Sequence, residues 1–187
     1  MNTNPKSPRT LAAALVIGAI VLAGCGSSAS SSAKKLSTAK LLKQGVALEL
    51  KGNLSGARTD FDIIISRNSA LKNGYGAVAF YNLGVLDQRA KKIAAATTDY
   101  NRSIALAPQY EPALFNLAII DSTTSPTTAE SLYKRILTLQ PTNSSAMYNL
   151  GLLYYVHNQK SEARTLLRKA ISLTPSLVKK LPSYVTL

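Results

Sequence analysis

Apolar residues recur along this chain with the period of a helix, and the helical pattern itself recurs every 33 or 34 residues. The strings Tyr81-Asn82-Leu83-Gly84 and Tyr148-Asn149-Leu150-Gly151 are identical, with Phe115-Asn116-Leu117-Ala118 between them. Downstream of each comes an alanine (Ala96, Ala129, Ala163), then a large residue four on (Tyr100, Tyr133, Leu167), then a proline (Pro108, Pro141, Pro175). A looser copy precedes them with Leu41, Gly45, Ala57 and Phe61, and Ser69 where the proline would stand. Within one copy Phe80, Leu83, Gly84 and Asp87 follow the i, i+3, i+4, i+7 face of a helix. Period-two alternation is absent and alanine and leucine dominate the runs, which argues against strands.

The residue types fit two antiparallel helices. Gly84 and Ala96 lack bulk and allow close approach, Tyr100 and Ile104 fill the space beside them, and Pro108 ends the second helix by withholding a backbone donor. One such pair cannot bury its apolar face alone, whereas stacked pairs share a continuous core.

This pattern resembles the tetratricopeptide repeat, which reads W-x₂-L-G-x₂-Y…A-x₃-F…P over 34 residues. The resemblance spans residues 38–175 and implies an all-α fold: an α-solenoid of about four helix-turn-helix repeats (about 38–71, 77–110, 111–143 and 144–177). A short C-terminal capping helix through Leu177, Val178 and Leu181 would end at Pro182. Three departures stand out. About five extra residues around 66–76 predict a longer loop after the first repeat. The third repeat is a residue short before Ala129, where Ser125 is placed to cap a helix opened by Pro126. Asp87 and Asp121 occupy positions where the pattern prefers a large aromatic, which predicts half-exposed sites or loose packing there.

The resemblance also implies a concave groove lined by the first helices. One residue before the motif leucine stand Asn82, Asn116 and Asn149, with Lys43 in the first copy. In similar proteins such an asparagine bonds the backbone of a bound extended peptide, and an amide offers donor and acceptor together. Tyr81, Phe115 and Tyr148, then Val85, Ile119 and Leu152, share that face, with Leu42 and Val46 in the first copy and Tyr155 near the end. Basic groove positions are few (Lys43, Arg89), so no two-sided carboxylate clamp is expected.

The N-terminus reads as an address. Lys6 and Arg9 precede a 13-residue apolar run at 11–23, too short to span a membrane comfortably and built like the centre of a secretory signal peptide. Leu22-Ala23-Gly24-Cys25 resembles a bacterial lipobox, which implies lipid attachment at Cys25 and cleavage before it. Removal of 1–24 leaves 163 residues at net +11, in place of 187 at +13. A Ser/Gly-rich flexible tether over 25–37 and the domain at 38–187 follow. The expected location is the bacterial cell envelope, with the protein held to a membrane on its extracytoplasmic side.

Composition narrows the chemistry. One cysteine and one histidine, His157, exclude an internal disulfide and a Cys/His metal cage, and no cofactor is implied. The nine acids are scattered and His157 lies near a helix end, so no catalytic constellation forms and the chain does not read as an enzyme. The charge is uneven. Residues 33–58 carry six bases and one acid, 163–187 carry five bases and no acid, and 93–133 carry four acids and one base. A nucleic-acid stripe would continue through the middle, so nucleic acid is not an expected partner. The expectation is an adaptor or scaffold for proteins or peptides of the envelope. The alternative is a structural envelope component held by its basic ends to anionic headgroups or cell-wall polymer.

Overall fold

The structure, a computed structural model, describes residues 36–187. The signal-peptide run, the lipobox with Cys25 and nearly all of the tether therefore lie outside the described residues. The described chain is an α-solenoid of four helix pairs. These are α1 Thr38–Leu50 with α2 Leu54–Ile65, α4 Tyr75–Arg89 with α5 Ile93–Leu106, α6 Glu111–Thr124 with α7 Pro126–Leu139, and α8 Ser144–Val156 with α9 Lys160–Leu173. A five-residue helix α3, Asn68–Lys72, sits between the first two pairs, and a 3₁₀ helix, Pro175–Lys180, follows the last. Each second helix packs on the first helix of the next pair, and α1 also touches α4 and α6 touches α8.

Three of the four within-pair turns share one geometry. Gly52, Lys91 and Asn158 take positive φ of 79°, 60° and 62°, and the next residue's N–H reaches back to the carbonyl of Leu48, Asp87 or Tyr154. The third pair lost that left-handed residue, so α6 runs to Thr124 and α7 starts two residues later. Ser125 occupies the N-cap of α7 and Pro126 its first position, as expected, but the Ser125 side chain makes no capping bond. Real side-chain caps come from Ser37, Asn53 and Asn143.

The prolines act as the spacing predicts. The residues before them, Ala107, Gln140 and Thr174, adopt nearly one conformation, with φ of −136°, −135° and −140°, because the proline ring excludes the helical region for its predecessor. The first pair has no such proline. The extra residues there are more than a loop: Leu71 of α3 packs against Gly76, where an added Cβ would meet its Cδ2 at 2.7 Å.

Close approach within pairs depends on the motif glycines. A Cβ on Gly84 would lie 2.6 Å from the Tyr100 ring, and one on Gly151 2.8 Å from Leu167. The core runs through the stack as linked clusters. Leu41, Phe61, Ile64 and Leu83 fill the first, Tyr100, Leu114, Tyr133 and Ile136 the second, and Met147, Leu167, Leu177 and Val185 the third. Full burial of side chains such as Leu114 or Ile136 contributes about 1.5–3 kcal/mol each.

Asp87 and Asp121 correct the expectation placed on them. They are buried rather than half exposed, at 4% and 9% exposure. Asp87 receives Arg58 Nη2 from the preceding pair at 2.5 Å, and Asp121 accepts from the Thr124 hydroxyl at 3.4 Å. At the first of these sites an ion pair between helix pairs replaces the aromatic.

Candidate protein-binding face

The first helices α4, α6 and α8 carry the asparagine and aromatic positions, spaced by the repeat. The three asparagines differ in their surroundings. Asn82 is 8% exposed and its Nδ2 donates to its own helix at Val78 O, 2.7 Å away. Half-buried Asn116 donates to the Tyr100 hydroxyl at 3.2 Å, across the second and third pairs. Half-buried Asn149 donates to Ser145 O at 2.9 Å. Each amide keeps a second N–H and its oxygen, so the helix bond uses part of its capacity.

Aromatic residues on this face pack in pairs across elements. Tyr81 meets Tyr110, just before α6, edge to face at 5.5 Å, and Tyr100 at 6.0 Å. Phe115 meets Tyr133 at 6.0 Å. Burial pushes the Tyr81 phenol above its ordinary pKa, with the Asn116 bond working against it. The same cause, desolvation, pushes Tyr100 up to about 12, so its hydroxyl stays a donor, to Gln88 Oε1 at 2.7 Å. Val85 is half-buried and Ile119 is exposed, as is Val46 on α1. Lys43 is exposed, while Arg89 is paired with Glu49 at 2.9 Å.

The fourth pair is different. Tyr148 is buried, and its hydroxyl donates to Lys180 O at 2.5 Å. The Tyr155 hydroxyl donates to Tyr184 O at 2.9 Å and accepts from Thr186 N–H at 3.3 Å. Half-buried Leu152 and Leu181 both pack against the cluster that contains Val185. Two of the predicted groove residues, Tyr148 and Tyr155, are thus held by the chain's own C-terminal residues. Nothing in the repeat pattern signals this, because those residues fall after its last proline.

Two hollows lie away from this face and have no signal in the repeat pattern. One of about 580 Å³, largely apolar, is lined by Ile65, Leu71, Phe80 and Leu106 with Asp62 and Arg102 at its edge. The Arg102 guanidinium sits 5.5 Å from the Phe80 ring centre. The other, of about 470 Å³, lies between the third and fourth pairs against Leu137, Tyr154 and Leu166. His157 is exposed at the C-cap of α8. Among the described residues no group of three or more His, Cys, Asp and Glu could hold a metal ion, and no helix is long and apolar enough to cross a membrane.

Known proteins carry the same repeat. A family model for the tetratricopeptide repeat matches residues 144–177. Solved structures share the fold. MamA is 24% identical with a TM-score of 0.64, over 76% of this chain and 81% of its own. A tetratricopeptide repeat protein from Parabacteroides merdae is 21% identical with a TM-score of 0.65, over 74% of this chain and 54% of its own. YrrB, described as a TPR protein with an unusual peptide-binding site, is 21% identical with a TM-score of 0.60, over 78% and 75%. No curated protein matches the chain.

Proposed function

We propose that this protein is an adaptor of the bacterial cell envelope, lipid-anchored through Cys25, that takes a segment of another protein along the face of α4, α6 and α8. The observation that carries the reading is the threefold recurrence of Asn82, Asn116 and Asn149 beside Tyr81, Phe115 and Tyr148 on consecutive first helices. The exposed Ile119 and half-buried Val85 supply apolar contact between the amides. The fold is one that in YrrB bears a peptide-binding site, which supports the reading. Each backbone bond from an asparagine would contribute about 0.5–1.5 kcal/mol net.

The test should alter surface and leave the core intact. Asn116 holds Tyr100 and Asn82 is buried, so Ile119→Asp with Asn149→Ala is the cleaner pair. Crosslinking pull-down from intact cells is expected to recover a protein with the wild type that this variant loses. Equal recovery from both would remove the groove reading. The anchor is tested separately: Cys25→Ser should release the protein from washed membranes, and retention would remove the lipid reading.

A second reading has one observation in its favour. Arg168, Lys169, Lys179 and Lys180 are all exposed in the C-terminal part of the chain, four cations available to anionic headgroups or cell-wall polymer. Binding by these cations would fall steeply with salt and would ignore the Ile119 and Asn149 changes.

A further inference from the structure

The residue after the motif alanine has one job in the first and third pairs. Arg58, after Ala57, reaches Asp87 on the next pair's first helix. Glu130, after Ala129, accepts from the Tyr154 hydroxyl on the next pair's first helix at 2.8 Å. Arg164, after Ala163, meets no further helix pair among the described residues. Its Nε donates to Thr186 O at 3.0 Å and its Nη2 to the Thr186 hydroxyl at 3.3 Å. Tyr148 repeats the logic: its counterpart Tyr81 packs on Tyr110 at the start of α6, while Tyr148 bonds Lys180. Residues 180–187 therefore sit where a fifth helix pair would stack.

They fill that seat without a helix. Leu181 is extended, and Val185 N–H closes a turn onto Pro182 O at 3.0 Å. The seat reads backbone: Tyr148, Tyr155 and Arg164 each donate to a main-chain carbonyl, of Lys180, Tyr184 and Thr186. Such bonds are indifferent to side-chain identity. Side-chain selection falls chiefly to two apolar residues four apart, half-buried Leu181 and buried Val185, beside the exposed contacts of Tyr184 with the Tyr155 ring and of the Thr186 hydroxyl with Arg164. The hold is thin. Val185 is the one buried side chain in 181–187, Tyr184 is 61% exposed, and the bonds of Tyr155 and Arg164 lie in solvent. By contrast helix α6 holds six buried residues, Ala113, Leu114, Leu117, Ala118, Ile120 and Asp121. Segments with few buried contacts and exposed hydrogen bonds open first.

We infer that the end of the solenoid formed by Tyr148, Leu152, Tyr155 and Arg164 is an exchangeable peptide seat, occupied by the chain's own residues 180–187 and open to a non-helical, proline-turn segment of another protein with apolar residues four apart. The inference shares Tyr148 with the groove reading but is tested on the last pair alone, so the Ile119 and Asn149 changes can fail while the peptide titration succeeds, and the reverse. The strap competes from within. A short tether holds it at an effective concentration on the order of millimolar, so a partner must displace it.

The probe is the acetylated synthetic peptide Lys-Leu-Pro-Ser-Tyr-Val-Thr-Leu, labelled for fluorescence anisotropy. It is titrated into the full chain and into a chain ending at Lys179. The shortened chain is expected to bind at least about tenfold more tightly than the full chain, because the internal competitor is gone. Tyr155→Phe in the shortened chain removes the hydroxyl that donates to Tyr184 O and accepts from Thr186 N–H, and should weaken binding by roughly fivefold or more. A peptide with aspartate in place of its valine should not bind. The full-length variant Val185→Asp, which unseats the strap without truncation, should bind the wild-type peptide like the shortened chain. A shortened chain that keeps its helical circular dichroism but does not bind the peptide overturns the inference, and so does equal binding by the full chain. Loss of helical signal in both variants overturns it as well, since the strap would then be a fixed part of the fold.

Discussion

The junction between the first and second helix pairs and the junction between the third and fourth are built at the same repeat positions with opposite chemistry. At the first, Arg58 on α2 meets Asp87 on α4, with Asp60 buried nearby in sequence and Asp62 also placed on α2. At the third, Glu130 on α7 accepts from the Tyr154 hydroxyl on α8, and Lys134 completes the group at 2.6 Å. In the middle junction Thr97 stands at the same position and offers no charge, and Asn116 bonds Tyr100 instead. The repeat thus fixes where neighbouring pairs touch and leaves open how. Near the first junction Asp62 feels both partners of the pair: desolvation raises its pKa, Arg58 lowers it and Asp87 raises it, and on the same helix burial alone raises that of Asp60. At the third, hydrogen bonds from Lys134 and then Tyr154 hold Glu130 below its ordinary value. Acid should therefore relieve one junction and loosen the other.

Reversing the charge at the first junction should have the largest effect. Asp87→Lys places a buried cation against Arg58 and is expected to cost about 3 kcal/mol, as for breaking a buried pair. Asp87→Asn keeps the shape and should cost only about 1 kcal/mol, because the Arg58 side chain is 39% exposed and water screens it. In a protein of this size that is a fall in melting temperature of roughly 2–4 °C. Arg58→Glu combined with Asp87→Lys should recover much of the loss if the pair acts directly across the junction. Additive losses in the double variant would show that the two charges act separately.

The repeat positions are readable from the sequence wherever a residue's role follows from size or backbone alone. Gly84 under Tyr100, Gly151 under Leu167 and the residues before Pro108, Pro141 and Pro175 behave as their types require, since close approach and proline sterics do not depend on distant partners. Polar sites are not readable in this way. Asp87 looks in the sequence like a misplaced surface residue because its meaning lies in Arg58, 29 residues earlier. Asn116 carries the same motif position as Asn149 yet bonds a tyrosine of the preceding pair, and no local pattern separates the two. The strap is hidden for a similar reason: 180–187 has no helical period, and its placement comes from the tyrosine and arginine donors of the fourth pair. Helix α3 gives no signal either, because five residues are too few to show a period.

At the third junction Tyr154→Phe removes the hydroxyl that Glu130 receives and should cost about 1 kcal/mol, a neutral donor to a charged acceptor that is part exposed. The pH dependence identifies it. Glu130 has a lowered folded pKa, so its contribution is fully present above the ordinary value of 4.5 and is lost as pH falls through the folded one. The wild-type advantage over Tyr154→Phe, followed by thermal melting, should therefore shrink in acid. An advantage that stays constant down to the most acid conditions the fold survives would mean that the hydroxyl contributes by packing and the bond to Glu130 does not matter.

The smallest change has the opposite sign. Asp60 is 3% exposed, its Oδ2 has no hydrogen-bond partner among the described residues, and burial raises its pKa above the ordinary 3.8. Keeping it ionised near neutral pH is a cost, present above the raised folded pKa and gone once pH falls below 3.8, where folded and unfolded chains are both protonated. Asp60→Asn removes the charge at nearly constant shape and should stabilise the protein by up to about 1 kcal/mol near neutral pH. The gain should disappear as pH falls below 3.8, the reverse of what acid does to the Glu130 junction. A loss of stability on Asp60→Asn at neutral pH would mean that the ionised carboxylate makes an interaction that outweighs its burial.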